Sequence, residues 1–90
     1  MNDSDFISKL RTFYRMQIKL DKECQDIHKA IDDYDTKYKS MHPSAEALKM
    51  RGDYKEKLKI VLQNMRDVDW SVSALLDEFT DQLRNEQDSA

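Results

Sequence analysis

From Phe6 onward the chain places a candidate core residue at steps of four and three in strict alternation: Phe6, Leu10, Phe13, Gln17, Leu20, Cys24, Ile27, Ile31, Tyr34, Tyr38 and Met41. Ten of these eleven are apolar or aromatic, and only Gln17 is polar. A repeat averaging 3.5 residues keeps one seam along a helix and asks for a partner helix with a matching seam. The spacing predicts a helix over about 5–41. Ser4 or Asp5 can open it by accepting a hydrogen bond from a free backbone N–H of the first turn. Pro43 disfavours helix at His42, so the helix should stop between Ser40 and His42, and Pro43 suits the first turn of the next.

The pattern resumes at Tyr54, Leu58, Val61, Met65, Val68, Val72, Leu75 and Phe79. Upstream, the same register falls on Arg51 and Ala47, a weaker apolar signal. Gly52 can close a helix in a left-handed conformation, and Asp53-Tyr54-Lys55-Glu56 has the spacing of a capping box. The sequence therefore favours a short helix at about 44–51, a kink at Gly52, a long helix over about 53–86 and a frayed tail at 87–90. The rival is one helix running through Gly52, because a single Gly costs only about 1 kcal/mol.

Two long helices joined by a short connection fold back on each other. The expected fold is all-α: an antiparallel helical hairpin of two long coiled-coil-like helices forming one domain over residues 1–90. The apolar stripes are wider than one hairpin needs. Leu62, Leu76 and Leu83 each follow a core residue, and so do Ile7 and Tyr14. Flanking residues of this kind predict a second contact surface, which a second copy or a heterologous helical partner would complete into a bundle. Trp70 lies off the seam, two residues before Val72, between Asp67 and Asp69 on one side and Val72 on the other. It joins the five flanking residues as a candidate partner contact, because Trp is enriched at interface hot spots.

Composition supports helices over sheets. The 90 residues hold one Gly and one Pro, and 37% are charged. A chain of this size has a marginal core, which disulfides, metal or association usually reinforce. Cys24 has no second cysteine to pair with, so association is the remaining route. The longest apolar run is Ile60-Val61-Leu62, far short of a membrane span. Met1-Asn2-Asp3-Ser4-Asp5 lacks the basic and apolar regions of a signal peptide, and an intracellular setting, cytoplasmic or nuclear, is expected.

Charge is segregated. Residues 37–66 hold eight Lys or Arg against three Asp or Glu, whereas residues 67–90 hold one against seven. Folding back would give a basic tip, with Lys49, Arg51, Lys55, Lys57 and Lys59, and an acidic foot. Such a tip could meet nucleic acid, with Tyr34, Tyr38 and Tyr54 interleaved. Those tyrosines fall on the seam, however, and the sequence pI near 5.3 runs against a nucleic-acid module.

Site chemistry is not visible. His28 and His42 have no ligand at metal spacing, and Asp32-Asp33-x-Asp35 lacks the Gly and distal Glu of a calcium loop. Asp32 and Asp35 can instead meet Lys29 and Lys39 along the helix. Cys24 sits on the seam, where a thiol behaves as a small hydrophobe. No phosphate loop or nucleophile elbow is present, so no catalytic, cofactor or metal residue is assigned. Gln17 either specifies register as a polar seam residue or drifts outward while Met16 or Ile18 packs. The expected function is a non-enzymatic protein–protein interaction module, a small coiled-coil subunit or adaptor of a larger assembly. The alternatives are a small regulator of phage or plasmid type that blocks a host protein, and a nucleic-acid-associated module using the basic tip.

Overall fold

Asn2 opens the first helix. In the computed structural model, which describes residues 2–89, its Oδ1 accepts a hydrogen bond from the Asp5 backbone N–H at 2.8 Å. Helix α1 runs over Asp3–Lys37, two residues ahead of the start expected at about residue 5, and it is Asn2 and not Ser4 or Asp5 that caps it. Asp3 and Asp5 in the first turn complement the positive end of the helix dipole. The last turn closes with the Tyr38 N–H donating to the Tyr34 carbonyl at 3.0 Å.

The helix therefore ends four residues earlier than the seam pattern predicts. Packed helix axes lie about 8–10 Å apart, and a chain advances at most about 3.6 Å per residue. A helix reaching Met41 would leave only His42 and Pro43 to make the crossing and the reversal. Tyr38 is the last half-buried seam residue, and Met41 lies exposed in the connection.

Helix α2 spans Ala45–Ser89 without interruption. Ser44 opens it: its Oγ accepts from the Ala47 N–H at 3.1 Å, and its carbonyl accepts from the Leu48 N–H at 3.0 Å. Pro43 stands just before this cap and not in the first turn. The short helix at 44–51 and the kink at Gly52 do not form. Gly52 has no positive φ, and Asp53 opens no new helix. The reason lies in the two weak seam positions. Ala47 is buried and Arg51 half-buried, so the upstream turns gain seam packing that outweighs the cost of one glycine. The tail expected to fray at 87–89 is likewise helical, because no breaker precedes Ser89; Ala90 lies outside the described residues.

The two helices pack antiparallel into a rod with Cα extents of 71 × 16 × 15 Å. With the seam written as heptad positions a and d, Phe6 is a d and Phe79 an a. Their rings stack at 4.1 Å with 15° between planes, closing the foot. Near the tip, Tyr34 (d) lies under the Arg51 guanidinium (a) at 5.8 Å. One register joins these layers and sets Leu10 opposite Leu75, Phe13 opposite Val72 and Ile27 opposite Leu58. Among the described residues the buried ones are Ala47, Val61, Val68, Val72 and Leu75, all on α2, and even these keep 5–9% of their surface exposed. Large α1 side chains cover small α2 ones, so α1 itself has no buried residue.

Candidate functional site

Heptad position decides which side of the rod each flanking residue reaches. In an antiparallel pair, position g of one helix stands beside g of the other, and e beside e. Met16, Glu23 and Asn64, all g residues, line one groove with Leu20 and Val68. Glu23 and Lys57, again both g, line the next with Ile27 and Val61. This side is mainly polar, with Lys19, Asp26 and Asp67 among its lining and Met16, Met50 and Ile60 as exposed apolar side chains.

The opposite side carries the e positions. Ile7 and Tyr14 of α1 and Leu62, Leu76 and Leu83 of α2 all belong there. Ile7 is 51% exposed, and the three leucines 36%, 43% and 45%. Five of the six residues proposed from sequence as a partner surface thus share one flank. Leu83 sits at the very foot, where it lines a groove with Asn2, Asp3, Ser4 and Phe79. Leu48, also exposed, belongs to the same column, fourteen residues before Leu62. Sequence reasoning missed it because a helix broken at Gly52 would have turned Leu48 onto a different axis.

Trp70 does not join the flank. At 74% exposure it is the most exposed of the large hydrophobic side chains, and its f position points away from α1. The two aspartates near it in sequence are divided. Asp67 accepts from Gln63 Nε2 at 2.9 Å along the outer face. Asp69 turns to the e flank and accepts a hydrogen bond from Gln17 Nε2 at 2.6 Å.

That bond decides the role of Gln17. The residue stays half-buried on the seam, whereas Met16 and Ile18 are exposed. It ties α1 to α2 across 52 residues of sequence, and a register slip would leave its amide without that acceptor.

The basic tip is dispersed. Lys49, Lys55, Lys57 and Lys59 are exposed but occupy positions f, e, g and b, so they surround the rod and form no single face. Lys59 pairs with Glu56 at 3.2 Å. Arg51 is taken up by the fold: Nε and Nη2 reach the two carboxylate oxygens of Asp35 at 2.8 and 3.2 Å. This fork replaces the pairing of Asp35 with Lys39 expected along α1, because the seam position of Arg51 aims its planar guanidinium across the hairpin. The hydrogen bond from Arg51 holds the Asp35 carboxyl below the usual carboxylate range, and the same bond raises Arg51. The Tyr34 and Tyr38 rings lie 4.6 Å apart, and with Tyr54 they are half-buried along the seam.

Among the described residues no three His, Cys, Asp or Glu side chains come together to hold a metal ion. Cys24 is a free, half-buried thiol on the seam. No described helix is long and apolar enough to cross a membrane. Compared with known proteins, the chain matches no family model, no curated protein and no solved structure.

Proposed function

We propose that this chain is a non-enzymatic protein–protein interaction module, a small coiled-coil subunit that docks through one flank of its hairpin. The observation that carries this reading is the asymmetry of the two flanks. One is polar along most of its length. The other presents Ile7, Tyr14, Leu62, Leu76 and Leu83, partly exposed beside a seam in which no described side chain is fully buried. A two-helix core that remains 5–9% open at its most buried residues gains most by covering that flank with further helices. The working compartment on this reading is the cell interior, cytoplasm or nucleus, in keeping with a lone unpaired thiol.

Trp70 favours a second reading, capture of a different protein, because a large ring on the outer face gives a heterologous partner an anchor that the leucine flank does not need. Nucleic-acid binding has less in its favour. Arg51 is committed to Asp35, and the three tyrosines pack in the seam.

The test is the double variant Leu76→Gln/Leu83→Gln. On this reading helicity and melting are largely retained while association, with itself or with a captured partner, is lost. Collapse of the fold in a chain that was monomeric from the start would show that these leucines are core, and the reading would fall.

A further inference from the structure

Both helices present apolar side chains at the e positions of the docking flank only at the foot; higher up, α2 alone keeps Leu62 and Leu48 in this column. From the foot upward, α1 presents Ile7 and Tyr14 at its e positions, and α2 presents Leu83 just below Ile7 and Leu76 between the two levels. Between Leu76, Leu62 and Leu48 the flank is charged, and the two helices differ in sign there. α1 carries Asp21 and Asp32 at e and b positions, while α2 carries Arg66, Lys59 and Lys55 at b and e positions, above Asp69, which is already bonded to Gln17. Asp21 and Arg66 lie at nearly one level in the hairpin register, as do Asp32 and Lys55.

We infer that the occupant of this flank is a second copy of the chain, packed foot to foot about a twofold axis parallel to the rod. The inference rests on the interaction-module reading above. A twofold along the rod lays α1 of one copy over α2 of the other. It therefore brings Ile7 and Tyr14 against the partner's Leu76 and Leu83, twice, in one apolar cluster. The same operation sets Asp21 beside Arg66 of the partner subunit and Asp32 near the partner's Lys55. The flank is thus self-complementary in apolar content and in charge. A tip-to-foot arrangement places α2 over α2 and α1 over α1. It would press Ile7 against the partner's Asp35 and Leu76 against the partner's Lys55, burying charge opposite apolar surface and leaving only Leu83 to meet an apolar residue, the partner's Leu48. Area is sufficient as well. A flank running along a rod 71 Å long and 16 Å wide offers on the order of 1,000 Å², against roughly 800 Å² per partner in a standard interface.

The experiment combines sedimentation equilibrium of the purified full chain with dipolar distance measurement. A spin label is placed at Arg84→Cys, on the outer face of the foot, in a Cys24→Ala background. The expected result is a dimer with an inter-label distance within about 35 Å, the width of a four-helix bundle plus the label arms. Leu76→Gln/Leu83→Gln should weaken dimerisation at least about a hundredfold while the helical spectrum persists, since four leucine contacts leave the cluster. Asp21→Lys should weaken it about tenfold, and adding Arg66→Asp should restore it. A monomer at high protein concentration overturns this inference, and the interaction reading then stands or falls on leucine-dependent capture of another protein. A dimer with labels near the full rod length overturns the foot-to-foot geometry. A dimer indifferent to the two leucines overturns both the inference and the reading beneath it.

Discussion

Gly52→Ala distinguishes a continuous α2 from a helix broken near the tip, and the two give opposite signs. Gly52 stands within α2 on an exposed face, its φ is not positive, and a Cβ built there meets nothing within 4 Å. No steric term opposes the methyl group. What remains is the helix propensity difference, roughly 0.8–1 kcal/mol in favour of Ala, much of it from reducing the freedom of the unfolded chain. In a domain of this size that raises Tm by about 4–8 °C. Thermal melting by circular dichroism reads the shift. It should be run at one protein concentration, because association also moves Tm. Urea titration should move the midpoint by a matching amount with an unchanged slope. Had Gly52 ended a short helix in the left-handed region, the same methyl would cost about 1–2 kcal/mol, and Tm would fall. A lowered Tm with no change in slope would refute the continuous helix.

Two further outcomes follow from the seam and its ion pair. Val68→Asp puts a carboxylate at a buried layer of α2 with no partner; it should unfold the hairpin, and a cooperative melt near wild type would mean the seam is misassigned. Asp35 has a lowered folded pKa, so its contribution is present above the unfolded pKa near 4 and is lost as pH falls through the folded value. Asp35→Asn should accordingly lower Tm at pH 7 and converge with wild type once the carboxyl is protonated in the folded state at acid pH, whereas a difference independent of pH would show that the ion pair with Arg51 is not its source.

The hairpin itself was legible in the residues because the alternating four-and-three spacing is a local, one-dimensional signal, and it survives over both helices. The flank of Ile7, Tyr14, Leu62, Leu76 and Leu83 was legible for the same reason, since heptad position sets direction once a seam exists. Other features depend on where a second helix stands. Gly52 and Arg51 read as interruptions when each residue is weighed alone. Against α1, Arg51 spans to Asp35 and lies over Tyr34, and the glycine is carried through by packing on either side of it. Gln17 was ambiguous until Asp69 met it from the other helix. Trp70 looked like a neighbour of the leucine flank in sequence, yet its f position turns it to the outer face. Propensity and spacing are properties of the chain, but the partner of a polar seam residue, the end of α1 and the joining of Leu48 to the leucine column are fixed only when the two helices are set side by side in one register.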